Sequence, residues 1–348
     1  MRKYLFTAMV AGALTLTVPV AAQPPRPAAT TPANTSPGGL ATIRISTGGE
    51  SGAYHSVVCA AIKQHVEGRN PGRFRVECIS SAGSGQNLER VEKGEVQAGL
   101  MQFDVLSAAY ASRPDLQEKI ASIGNLGPEA LWCVGAKNGR VKSAKPLMDT
   151  EKPEKPYRIV VGPETSGTAL TWNFLRAQSK ELRANVELVT LPVFNHTTAY
   201  GRVRAGIYDL VCFVQTPNPA NERITEVATS DDLVFVPMND PNWTGYQING
   251  SAPYVILPAQ FKGAFTVAAV RGSDDASVST IHTRATLILN DTTMPPAMFN
   301  ALKAAVLDPE LLPATSASGI AQRKFYTLLS GTRTAAGTGW SYLKGFLP

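Results

Sequence analysis

The sequence predicts a two-lobed α/β protein, each lobe a mostly parallel sheet flanked by helices, with two chain crossings at a hinge. Three observations lead there. Short apolar runs alternate with helical periods in the order strand, loop, helix; each early run ends in a polar, glycine-studded loop; and the same order returns after a change of composition near Lys137. Loops that follow parallel strands open at the carboxyl edge of a sheet, where α/β folds bind small ligands.

The elements follow in chain order. Arg2 and Lys3, an apolar stretch from Tyr4 to Val20 and the small residues Ala21 and Ala22 read as a secretory leader over 1–22, the alternative being an uncleaved anchor. A protein exported to the periplasm is therefore expected. Residues 23–39, rich in Pro, Thr, Ala and Ser, have no hydrophobic period and read as a disordered linker. Thr42 to Ser46 is the first strand, and the loop from Thr47 to Gly52 opens a helix from about Ala53 to Val66, where Val57, Val58, Ala61, Ile62 and Val66 recur at helical spacing. Asn70-Pro71-Gly72 turns the chain. A second strand, Phe74 to Ile79, runs into the Ser80 to Gly85 loop and a helix through Leu88 and Val91; a third, Gln97 to Met101, ends at Gln102-Phe103-Asp104 before another helix.

Ile123 to Gly135 is apolar without a helical period, and a charged, Pro-containing stretch from Lys137 to Pro156 follows. The second unit then has a strand at Tyr157 to Val161, the loop Gly162 to Thr168, a helix to Gln178, a strand at Val186 to Leu191, a helix near Thr197 to Ala205 and a strand at Leu210 to Val214. Further strands are expected at Val255 to Leu257 and Thr266 to Val270, and helices at Ser277 to Leu289 and Pro296 to Val306. The expected division is 40–136 with 257–348 as lobe 1 and 137–256 as lobe 2.

The net charge is +6, with basic residues scattered and no aromatic interleaving, so no nucleic-acid partner is expected. The four histidines and four cysteines lack metal-ligand spacing, and no cofactor is expected. A Cys59–Cys78 disulfide and four buried thiols stand as equal readings. The sequence contains no GxSxG, HExxH, P-loop or dinucleotide fingerprint, so no catalytic activity is expected.

The loops carry the chemistry. Glycines let backbone amides approach a ligand, Ser and Thr add hydroxyls, and a helix N-terminus favours an anion. The segments Gly48-Gly49-Glu50-Ser51-Gly52-Ala53-Tyr54, Ser80-Ser81-Ala82-Gly83-Ser84-Gly85-Gln86-Asn87-Leu88 and Met101-Gln102-Phe103-Asp104 resemble the signatures of the TAXI family, the solute-binding proteins of TRAP transporters. The resemblance runs from about residue 40 to 345, is strongest in the first lobe, and implies a type II periplasmic-binding-protein fold. It also implies a protein that binds glutamate, 2-oxoglutarate or a similar amino acid or organic acid and delivers it to a TRAP permease; a monomer is expected. Carried over by position, Gly49, Ser51, Tyr54, Ser84, Asn87, Gln102, Asp104, Thr165, Ser166, Gly167 and Thr168 line the site, and Gln215 ends a second-lobe strand beside it. Two departures bear on pocket shape: His55, Ser56 and Val57 follow Tyr54 where the family has a second tyrosine and a Pro-containing turn, and Gly85-Gln86 replaces the family's Val-Glu pair. Asp104 is read equally as a partner for a ligand ammonium or as a helix cap, and Gln102 as a ligand contact or a structural hydrogen bond. A receptor serving a sensor kinase or an ATP-driven permease, or an exported hydrolase, is the alternative.

Overall fold

The computed structural model describes residues 39–248, 250–261 and 277–312, so the leader, all of the linker but Gly39, the expected strand at Thr266 to Val270 and the segment after Leu312 lie outside it. In the first half, β1 (Ala41–Ser46) buries Ile43 and Ile45 around exposed Arg44 and pairs in parallel with β2 (Phe74–Ile79) and β3 (Ala98–Gln102). A π-helical turn (Tyr54–Cys59) runs into α1 (Ala60–Arg69), α2 (Ser84–Glu92) joins β2 to β3, and α3 (Phe103–Ser112) follows β3 directly. Two strands come next, β4 (Ile120–Ile123) and β5 (Pro128–Ala136).

The second half repeats the pattern with β6 (Tyr157–Gly162), α4 (Gly167–Gln178), α5 (Lys180–Asn185), β7 (Val186–Thr190), α6 (His196–Arg204), β8 (Leu210–Gln215) and α7 (Glu222–Ala228). Here β6 is parallel to both β7 and β8. The described chain closes with β9 (Leu233–Phe235), α8 (Asn242–Gly245), β10 (Val255–Gln260), β11 (Ser277–Asn290) and α9 (Pro296–Val306).

The fold is α/β, and its strand order is β2-β1-β3-β11-β5-β8-β6-β7, with β4 and β10 also on β11 and β9 on β5. Parallel pairing is confined to the flanks. The centre is antiparallel, because β5 and β11 run directly between the halves without the helical crossover that a parallel pair needs. Ser277 to Leu289, expected as a helix, is most of β11. Nearly every residue of this strand is buried, so it lacks the alternation of a half-exposed strand, and its β-branched residues were the better signal.

Within β11, His282, Thr283 and Arg284 pair with β5, whereas Ala285 to Leu289 pair with β3. The chain therefore crosses between the halves near Gly124 to Pro128 and returns near Arg284 and Ala285. These crossings differ from the boundaries expected after residues 136 and 256. β5 pairs with β8 and β9, and β10 pairs with the first part of β11, so both lie with the second half. The charged stretch after Lys137 is a surface connection within that half, which is why its composition changes without a crossing.

Each half is packed on both faces. In the first, Ile62, Val66, Leu302 and Val306 cover Ile43, Ile45 and Leu287, and Leu88, Val91 and Leu106 cover Met101 and Ile288. In the second, Trp172, Leu175 and Leu182 pack with Ile159 and Leu210, and Tyr200, Val203, Ile224 and Val227 pack with Val160, Val211 and Phe213. Two disulfides add covalent ties. Cys59 is bonded to Cys78, and Cys133 on β5 to the facing Cys212 on β8. Replacing Cys59 and Cys78 together by Ala is expected to lower stability by about 3 kcal/mol by freeing the unfolded chain. Urea unfolding measures this, and an unchanged midpoint would show that the bond adds nothing.

Candidate functional site

A cavity of about 440 Å³ lies where the loops after β1, β2 and β3 meet the loops after β6, β7 and β8. From the first half come Gly48, Gly49, Gly52 to Tyr54, Ser81 to Ser84 and Gln102; from the second come Val161 to Pro163, Ser166 to Thr168, Pro192 to Phe194 and Cys212 to Gln215. Glu129 and Arg223 complete the wall.

Two glycines allow the loops to meet. Gly83 has φ +121°, and a Cβ there would lie 3.3 Å from the Gly167 nitrogen; a Cβ on Gly167 would lie 1.6 Å from Gln102 Oε1. The Gly85 amide donates to the Thr165 carbonyl at 3.0 Å, so the starts of α2 and α4 are in direct contact. Ser166 caps α4 by accepting from the Ala169 amide, and the first residues of that helix, Gly167 and Thr168, stand in the cavity wall. The positive end of the α4 dipole therefore abuts the cavity.

Of the residues expected in the site, Gly49, Tyr54, Ser84, Gln102, Ser166, Gly167, Thr168 and Gln215 line this one cavity. Ser51 and Thr165 are exposed and lie off its wall. Asn87 and Asp104 are buried behind it. The Asn87 side chain accepts from Ser46 and Ser81 and donates to the carbonyls of Thr47 and Leu100, which holds the loops of β1, β2 and β3 together. Its hydrogen bonds are all made within the protein. Asp104 accepts from Gln102 Nε2 at 3.3 Å, Thr171 Oγ1 at 2.6 Å and the Tyr254 hydroxyl at 2.9 Å. Neither expected role for Asp104 describes this arrangement, which joins α3 of the first half to α4 and Tyr254 of the second.

Sequence reasoning missed the two charged residues of the wall. Arg223, on α7, has its guanidinium carbon 5.1 Å from the Phe194 ring centroid and 5.8 Å from that of Phe213. Among the described residues no carboxylate lies within ion-pair distance of it, and burial lowers its pKa from the usual guanidinium value. Glu129, near the start of β5, is only 4% exposed and accepts from the Tyr54 hydroxyl at 2.5 Å. Burial pushes its pKa up to about 8; Asp104 also raises it, and the Tyr54 bond opposes the shift. Glu129 had a signal, being the one charged residue between Ile120 and Ala136. Arg223 had none, since Glu222-Arg223-Ile224-Thr225-Glu226 reads as an ordinary surface helix.

The raised carboxyl has a stability consequence. Between the ordinary carboxylate value and about 8 the folded chain holds a proton at Glu129 that the unfolded chain has lost, so its contribution is full below the ordinary value and disappears as pH rises through about 8. Glu129→Gln is expected to flatten the fall in stability of the empty protein between pH 5 and 9, by an amount on the order of a few kcal/mol. Denaturation midpoints across that range measure it, and parallel curves would remove the assignment.

Fold and cavity together define the class: an α/β protein with a mixed sheet that holds a cavity of small-molecule size, with both polar and apolar walls, between two half-sheets. The chain belongs to the NMT1-like family, whose model matches residues 45–294. Among solved structures it is similar to a periplasmic substrate-binding protein of an ABC transporter from Coxiella burnetii, at 15% identity and TM-score 0.42 over 80% of this chain and 98% of that one. The effector-binding domain of QuiR in complex with shikimate matches at 11% identity and TM-score 0.45 over 82% and 98%. The periplasmic VFT2 domain of BvgS from Bordetella pertussis matches at 11% identity and TM-score 0.41 over 80% and 92%.

Proposed function

We propose that this chain is an extracytoplasmic solute receptor that closes two lobes over a small carboxylate, an amino acid or organic acid, and passes it to a TRAP-type permease. The observation that carries the reading is Arg223, a cation without a carboxylate partner in a cavity wall that also contains the first turn of α4. A half-buried cation in a largely apolar wall gains from a partner there, and an anionic ligand would supply one more directly than the neighbouring exposed Glu222. The lobes would divide at the two crossings, residues 39–126 with 285–312 forming one and 128–283 the other. Affinity would arise because only the closed arrangement brings loops of both lobes onto the solute. The resemblance of the β1, β2 and β3 loops to the TAXI signatures supports the TRAP partner, and the leader-like N-terminus supports a periplasmic location.

Binding is favoured over catalysis by the state of the cavity hydroxyls. Ser84 Oγ accepts from the Gln102 amide, Ser166 Oγ caps α4, and no histidine stands among the lining residues. A thermal-shift screen of the exported chain against amino acids, carboxylates and neutral sugars tests the reading. Carboxylates are expected to raise the melting temperature, and a response to sugars alone would sink it. Reconstitution with a fused multi-span permease in vesicles separates ion-driven from ATP-driven uptake.

A further inference from the structure

We infer that the solute is a monocarboxylate with an apolar body, whose carboxylate lies between Arg223 and the start of α4 and whose body lies against Phe194, Val161, Val193 and Val214, with no subsite for a second carboxylate. This inference rests on the receptor reading above and narrows it, since it excludes diacids such as glutamate and 2-oxoglutarate.

The positive charge of the wall is gathered on one side. Arg223 is the only cation among the lining residues, and its guanidinium carbon lies 5.1 Å from the Phe194 ring centroid. A Cβ built on Gly162 would lie 3.7 Å from both Phe194 Cβ and Ser166 Oγ, so this phenylalanine and the cap of α4 are neighbours. Arg223 and the positive end of α4 therefore flank one place and make a single anion subsite. Apolar side chains adjoin it. Val161 precedes Gly162, Val193 precedes Phe194, and the Val214 amide donates to Thr168 Oγ1 in the first turn of α4 at 2.9 Å. Val193 is 81% exposed, the most of any large hydrophobic side chain described, and an apolar body would cover it.

The opposite wall is neutral and uses its donors within the protein. Tyr54 donates to Glu129, Ser81 to Asn87, and Gln102 Nε2 to Asp104 and Thr171. The amides that open α2 are also engaged: Ala82 with Gln86 Oε1 at 2.8 Å, Gly83 with Ser81 Oγ at 3.0 Å and Gly85 with the Thr165 carbonyl at 3.0 Å. The Ser84 hydroxyl accepts from the Gln102 amide and has its own proton left, which makes it a neutral donor. Burial pushes the Glu129 carboxyl up to about 8, so near neutral pH it is uncharged and above that it is negative. In neither state does it supply a positive charge. A second carboxylate on this side would lose its water without gaining a counter-charge, whereas an apolar end would gain from leaving water.

Calorimetry of the exported chain at pH 7 tests this with acids matched in length: acetate, propionate, butyrate, pentanoate and 2-oxopentanoate against succinate, glutarate, L-glutamate and 2-oxoglutarate. Affinity is expected to rise roughly 4-fold per methylene from acetate to pentanoate. Each diacid is expected to bind at least ~100-fold more weakly than the monoacid of its length. Phe194→Ala is expected to weaken pentanoate binding by at least ~10-fold and acetate binding by less than ~3-fold. Equal losses for the two acids would overturn the placement of the body. A diacid bound as tightly as its matched monoacid, or an affinity that stays flat from acetate to pentanoate, overturns the inference and leaves the carboxylate-receptor reading standing. Failure of every acid to bind overturns both.

Discussion

Arg223→Met is expected to weaken carboxylate binding by at least about 100-fold, while the empty protein stays as stable as before or becomes slightly more stable. The two effects have opposite signs for one reason. In the empty cavity the guanidinium is partly desolvated and lacks a carboxylate, so methionine removes a cost while still filling the space beside Phe194 and Phe213. With a carboxylate bound, the same guanidinium would donate charge-assisted hydrogen bonds that methionine cannot replace. Arg223→Lys should not restore affinity, because the ammonium lacks the planar fork and stacks less well on the two rings. Titration calorimetry gives the affinity and urea unfolding the stability. A destabilised variant with unchanged affinity would make Arg223 a packing residue and remove the observation on which the receptor reading stands.

The cavity was half legible from the sequence, and the division has a physical cause. Loops that end parallel strands advertise themselves, because a chain that leaves a sheet and enters a helix within a few residues needs glycines and capping hydroxyls. Gly49, Ser84, Ser166 and Gly167 were found in that way. Long-range partners leave no such local trace. Asn87 has the spacing of a loop residue but binds Thr47 and Leu100 carbonyls from other strands, and Asp104 meets Thr171 and Tyr254 from the opposite half. Arg223 enters the wall only because α7 packs its Ile224 and Val227 beneath the sheet. The same limit explains the topology. Flanking strands were read correctly from strand-helix alternation, while β5 and β11, buried and antiparallel at the centre, have no alternation from which direction or partner could be taken.

Asp104→Ala is expected to cost about 4 kcal/mol of stability and to favour separation of the two halves. Its carboxyl is the shared acceptor for Gln102 of the first half and for Thr171 and Tyr254 of the second, all buried, so truncation removes three hydrogen bonds of the network between the halves at once, leaving the Gln102–Thr171 bond. Asp104→Asn keeps the shape and one acceptor and should cost less, about 1 to 2 kcal/mol. Burial holds the Asp104 carboxyl above the ordinary range, against the pull of Thr171, Tyr254 and the other donors. A carboxyl so raised contributes stability that is present at low pH and lost as pH rises through its folded value, so the deficit of the Asn variant should shrink as pH rises above the ordinary carboxylate range. Ligand affinity would fall with the closed population even though Asp104 does not line the cavity, since a receptor that is less often closed binds more weakly in proportion. Small-angle scattering of the Ala variant measures the opening directly. A variant as compact and as stable as the parent would mean that the contact between Gly85 and Thr165 holds the halves together without this network.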